Sequence, residues 1–138
     1  MIDWTEKFAR KVSRRLTKEH VGWLVTVGSD LTPQPRPVWF LWDGKTILVF
    51  SKPDARKVRH IAAHPKVSFA LNTDPEGSEV TVLTGTAAVE SAAPPAHKIP
   101  AYVRKYRKGI ADLEMKPEEM AREYSTAIRI TPETMRGW

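Results

Sequence analysis

The chain has 138 residues, 41% of them hydrophobic and 28% charged, and contains no cysteine. That balance describes one globular domain and excludes a disordered chain, a disulfide scaffold and thiolate chemistry. The formal charge of +6 asks for an anionic partner, and with no apolar signal core or membrane-length run the expectation is a cytoplasmic protein without a membrane role.

Thr5 to Lys18 reads as an amphipathic helix: Phe8, Val12 and Leu16 repeat along one stripe, and Thr5 is placed to cap it. This helix accounts for residues 1–20. Val21 to Val27 is a strand, ended by Gly28-Ser29-Asp30. Pro33 and Pro35 cannot donate to a ladder, so the next strand is expected to start near Arg36 and run to Trp42. In it Val38, Phe40 and Trp42 alternate with Pro37, Trp39 and Leu41. Both faces are apolar, which predicts burial on two sides, as in a barrel wall under a ligand or a subunit interface.

Asp43-Gly44 turns that strand into Thr46 to Ser51, making a hairpin. After Lys52-Pro53-Asp54 come a short basic helix, Ala55 to Ala63, and a strand, Lys66 to Leu71. Asn72 to Gly77 is a loop, and Ser78 to Glu90 a long strand in which Gly85 marks a bulge or bend. Residues 21–91 thus hold the barrel strands, with the helix at 55–63 among them. Ala92-Ala93-Pro94-Pro95 breaks the sheet. A helix from Ala96 to Lys108, closed by Gly109, and a second from Pro117 to Glu123 form a helical insertion over 96–123. Tyr124 to Ile130 is the last strand, inside a C-terminal segment spanning 124–138. The expected fold is mixed and mainly β: a small six-stranded barrel with flanking helices, one domain over residues 1–138.

The sharpest chemical signal is the basic cluster Ser51, Lys52, Arg56, Lys57 and Arg59, at a strand end and the start of a helix. Unpaired amides at a helix N-terminus and fixed cations beside them suit a phosphate, and Arg36 one strand away is placed to join them. The plainer alternative is a solvated basic helix. His60 and His64 are four residues apart but lack a third ligand, so no metal is expected. No phosphate-binding glycine loop is present, and no Ser-His-Asp triad has support. Trp39 is either packing or a wall beside a planar ligand. The aromatic residues are not interleaved with Arg and Lys, so nucleic-acid binding is not expected.

The ordered set Gly22-Trp23-Leu24-Val25-Thr26-Val27, Pro35-Arg36-Pro37-Val38-Trp39-Phe40, Asp43-Gly44, Ile47 to Ser51, Arg56 to Ile61, His64-Pro65-Lys66-Val67-Ser68 and Gly85-Thr86-Ala87 resembles the pyridoxamine 5′-phosphate oxidase-like split β-barrels. It is more similar still to the actinobacterial branch that uses the deazaflavin coenzyme F420, and FMN-binding relatives share the framework. The resemblance implies a homodimer with two cofactor sites at the subunit interface. It implies a cofactor phosphate against Ser51, Arg56, Lys57 and Arg59, and a ring along Arg36, Pro37 and Val38, which the reading of Trp39 as a wall beside a planar ligand would suit. The implied activity is hydride transfer from F420, or alternatively FMN, to an unsaturated small molecule; a non-catalytic carrier of the cofactor is the other possibility. Tyr102, Tyr106 and Tyr124 are proton-donor candidates by residue type alone. Vitamin B6 oxidation is not expected, because the substrate-phosphate residues and longer C-terminal arm of those oxidases have no obvious counterpart.

Overall fold

The computed structural model describes residues 1–138. Seven strands form one antiparallel sheet: β1 (Gly22–Val27), β2 (Pro33–Val38), β3 (Leu41–Trp42), β4 (Ile47–Ser51), β5 (Lys66–Leu71), β6 (Thr81–Val89) and β7 (Thr126–Gly137), in the order β2-β1-β5-β6-β7-β4-β3. Four helices accompany it: α1 (Lys7–Lys18), α2 (Arg56–Ala63), α3 (Pro100–Asp112) and α4 (Pro117–Glu123).

The order itself forces curvature. β2 and β3 are the two edges of the sheet, yet only Trp39 and Phe40 separate them in the chain. Seven flat strands would put those edges roughly 29 Å apart, whereas the link from Val38 to Leu41 reaches about 11 Å at most. The sheet must therefore curl until its edges nearly meet. They do not pair with each other, so the barrel stays split along this seam.

Two cores result. Inside the curl lie Leu24, Phe40, Ile47, Val49, Phe69 and Leu83, with Val12 and Leu16 of α1 and Ile61 of α2. Outside it, Leu48 and Phe50 of β4 and Ala127 of β7 pack against Tyr102, Tyr106 and Ile110 of α3 and Met120 of α4. All of β4 is therefore buried.

The seven strands include one more than the sequence suggests, and several boundaries differ for physical reasons. The strand expected from Arg36 to Trp42 is two strands, because the chain crosses the seam at Trp39-Phe40. Its second apolar face, at Trp39 and Leu41, is covered by the chain's own helices. β2 begins at Pro33, three residues earlier than expected, although it carries three prolines. Pro33, Pro35 and Pro37 are spaced by two, so their missing donors all fall on one side of the strand. β2 pairs only with β1, through register partners Val27, Val25 and Trp23, and the prolines leave that ladder intact while blunting the open edge.

Thr5 does not cap α1; its amide and hydroxyl both donate to Asp3 Oδ1, at 2.9 and 2.6 Å, and Glu6 is the cap residue. The helix expected from Ala96 splits into a 3-10 turn, Ala96–Lys98, and α3, which starts at Pro100 and runs through Gly109. β6 starts at Thr81, not Ser78, and its bulge falls between Thr84 and Gly85 as the glycine suggests. β7 does not stop at Ile130: it continues to Gly137, because the far half of β6 needs a partner on that side. Lys66–Leu71 and Pro117–Glu123 fall where the sequence places them. No helix is long and apolar enough to cross a membrane.

Candidate functional site

Phe40, in the seam, has no strand partner for its amide or its carbonyl, and α3 supplies partners for both. The Tyr106 hydroxyl oxygen accepts from the Phe40 amide at 2.7 Å. It also lies 2.9 Å from the Phe40 carbonyl and 2.7 Å from that of His20, either of which takes its proton. Lys105 Nζ donates to the Phe40 carbonyl at 2.9 Å and sits 3.9 Å above the Phe40 ring. The Trp39 indole stacks on Tyr106, with centroids 4.5 Å apart and planes 5° from parallel. The seam is thus a fixed wall.

Burial pushes the Lys105 ammonium down to about 8. It also holds the Tyr102 and Tyr106 phenols well above their ordinary value. The signs are opposite. A lysine lowered in the fold costs stability at neutral pH, and the cost is relieved as pH rises from about 8 toward the unfolded value near 10.4. Tyrosines raised in the fold cost stability once the unfolded chain ionises above about pH 10. Urea unfolding should therefore show stability rising from about pH 8 to 10 and falling beyond it. Lys105→Met should flatten the rise; an unchanged rise in that variant would contradict the account.

Against this wall opens a cleft of about 470 Å³, inside the usual range for small-molecule sites. Pro37, Val38 and Trp39 at the seam line it together with Phe50, Tyr102, Leu113, Met120 and Tyr124. Ser51, Lys52, Ala55 and Lys57 close its polar end. A smaller cavity of about 160 Å³ adjoins it through Ala55 and Lys57, bordered by Thr26, Gln34, Arg36, Arg56 and His60.

The charges at this junction are the notable feature. Lys57, Arg36 and Arg56 have no carboxylate partner in the fold. Arg36 donates only to its neighbour's carbonyl, that of Pro35, at 2.8 Å. Burial, and then the Arg36 guanidinium, hold the Lys57 ammonium below its ordinary value. The α2 cap residue Ala55 offers no side-chain acceptor, and the amides of Arg56 and Lys57 are unpaired. Three uncompensated cations and two free amides around one small cavity are what an oxyanion needs. Lys52, in contrast, is occupied: Glu123 Oε1 lies 3.1 Å from its Nζ and raises its pKa.

Of the residues the sequence singles out, Pro37, Val38, Trp39, Ser51 and Lys57 line the apolar cleft, and Arg36, Arg56 and Lys57 the cationic cavity. Ser51 Oγ donates to the Lys52 carbonyl at 2.9 Å. Arg59 borders neither; it donates to the Asp54 carbonyl at 3.1 Å. His60 Nδ1 lies 3.0 Å from Thr26 Oγ1. Sequence reasoning missed Phe50, Leu113 and Met120 as cleft residues, and Thr26 and Gln34 in the cationic cavity. Their only signal is apolar or polar alternation, which marks a face without saying what lies across from it.

An apolar cleft opening onto unpaired cations is a site for a ligand with a ring at one end and an anion near it. A family model for pyridoxamine 5′-phosphate oxidase matches residues 8–138, and the chain belongs to that family. Solved structures share the fold. A conserved hypothetical protein from Mycobacterium tuberculosis is 19% identical, with a TM-score of 0.75, over 94% of this chain and 82% of its own. An F420 reductase is 24% identical, with a TM-score of 0.62, over 90% and 94%. The heme storage protein HutZ from Vibrio cholerae is 12% identical, with a TM-score of 0.65, over 96% and 95%. At these identities the likeness concerns the fold alone. A comparison with curated protein sequences gives no match.

Proposed function

We propose that this chain is an oxidoreductase that holds coenzyme F420 in the cleft and delivers hydride to an unsaturated small molecule. The observation that carries the reading is the group of unpaired cations, Lys57, Arg36 and Arg56, at the polar end of an apolar cleft. The donor set fits the cofactor. Lys57, Arg56 and the first amides of α2 would hold its phosphate, and Pro37, Val38 and Trp39 would flank its ring. When bound, the deazaflavin supplies the hydride, and no side chain needs to act as a nucleophile. The residues of the chain position and shield: buried Phe50 and Met120 exclude water, and the raised phenol of Tyr102 stays protonated in the cleft. FMN carries a related tricyclic ring and a phosphate, and is the alternative ligand of the same site. F420 is favoured by the resemblance of the strand motifs and by the F420 reductase among the structural neighbours.

Oxidation of reduced F420 by a panel of electron-poor alkenes tests the reading. Turnover with any of them supports an enzyme; binding without turnover across the panel supports a carrier.

We also propose a homodimer. The outer face of β2-β1-β5-β6 carries Trp23, Val25, Val27, Pro35 and Val82, and no helix of the chain packs there. Trp23 is 38% exposed. Such a face is a candidate for burial against a second copy. Pro37 lies on this face and also lines the cleft, so a partner seated there would help to close the site. Sedimentation at micromolar concentration should show a dimer; a compact 15.6 kDa monomer alone would refute it.

A further inference from the structure

Gly109 lies inside α3, where glycine lowers helix stability relative to alanine and calls for a packing reason. The reason is Trp39. A Cβ on Gly109 would stand 3.0 Å from both Cζ2 and Cη2 of the indole. One turn earlier, Tyr106 lies flat against the same indole. Tyr106 is itself buried and held by its hydrogen bonds to Phe40 and His20, so it does not yield. The indole thus rests along α3, on a fixed ring at one end and bare backbone at the other. Trp39 lines the cleft, while Tyr106 and Gly109 do not reach it.

We infer that Gly109 sets the width of the cleft through Trp39, and is a specificity-determining position for ligands with wide, fused rings. It acts as a positioning residue, at one remove from the ligand. A methyl at 109 would push the indole off α3 by a few tenths of an ångström, and a larger side chain by more; with Tyr106 fixed, the ring is displaced toward the cleft. A fused tricyclic ring needs the full width; a single ring does not. The inference rests on the proposal that this cleft holds the ring of a phosphate-bearing cofactor.

The test uses three probes that share a phosphate: FMN and F420, each with a fused ring, and pyridoxine 5′-phosphate, with one ring. Affinities are measured by calorimetry for the parent, Gly109→Ala, Gly109→Leu, Trp39→Phe and Gly109→Ala/Trp39→Phe, with crystal structures of the parent and Gly109→Ala. In whichever fused-ring probe the parent binds, Gly109→Ala should lower affinity roughly ten- to hundred-fold, the scale of an overpacking clash. Affinity for pyridoxine 5′-phosphate should stay within about twofold. Adding Trp39→Phe should return the double variant to the affinity of Trp39→Phe alone. Alanine favours the helix, so this variant should fold even where leucine does not. Unchanged fused-ring affinity in Gly109→Ala, or an equal loss for all three probes, would overturn the inference. If the parent binds none of the probes, the cofactor proposal fails, and the crystal structures still decide the packing. An indole shifted into the cleft in Gly109→Ala supports the inference, and an unmoved indole overturns it.

Discussion

Replacing Lys57 by alanine is expected to weaken cofactor binding by roughly ten- to hundred-fold, the value of one charge-assisted hydrogen bond. The free amides of α2 and the guanidinium groups of Arg36 and Arg56 remain, so binding should fall without vanishing. Stability should hold or rise. In the unliganded fold the Lys57 ammonium is partly desolvated, faces Arg36 and has no carboxylate. Its lowered pKa means that its charge costs stability below the folded value, a cost relieved as pH climbs from there to the unfolded value. Binding an anion reverses that disadvantage. Lys11→Ala is the control: Lys11 lies on α1, and its pair with Glu79 is exposed at both ends, so little should change. Calorimetric titration combined with urea unfolding reads both quantities. Equal affinity in parent and Lys57→Ala would place the anion elsewhere, and lost affinity accompanied by unfolding would make Lys57 structural.

The second large effect is expected at Tyr106, on stability. Truncation to alanine removes a buried ring from the outer core, the stacking partner of Trp39 and the acceptor for the Phe40 amide. Losses of aromatic side chains in cores run to about 3–5 kcal/mol. Tyr106→Phe keeps the ring but strands the Phe40 amide, which should cost about 1–3 kcal/mol. Urea midpoints distinguish the two. If Tyr106→Ala loses less than about 1 kcal/mol, α3 does not secure the seam as described.

Much of the strand and helix content was legible because periodicity reports burial directly. Lys66 to Leu71 alternates cleanly, and burial along β5, paired on both edges, follows that alternation. The seam was not legible. Apolar residues from Val38 to Trp42 continue without a break, and nothing local says that Trp39-Phe40 carries the chain from one sheet edge to the other. That is fixed by the strand order, a non-local property. Pro33 and Pro35 misled for a related reason: proline excludes a central strand, but a spacing of two allows an edge strand, and edges are known only once pairing is known. Gly109 reads as a helix end by composition, whereas the indole packed on it is 70 positions away in the chain.

The site was legible in part. Lys57, Arg56 and Arg36 stood out because charge is costly to bury and conspicuous near a helix start. Part of the apolar lining was hidden: Leu113 and Met120 come from the helical insertion, and their positions depend on how that insertion folds back over β4. The same docking answers the two-faced apolar stretch around Trp39 and Leu41, so the case for a dimer now rests on the outer sheet face around Trp23.

The most direct test of the cleft as a cofactor site is titration of the purified, ligand-free protein with F420 and with FMN at low and high ionic strength. The account predicts saturable binding at one site per chain, tighter for F420, and weakening as salt screens the cations over about 10 Å at 0.1 M. Binding of neither cofactor, or binding indifferent to salt, would contradict it.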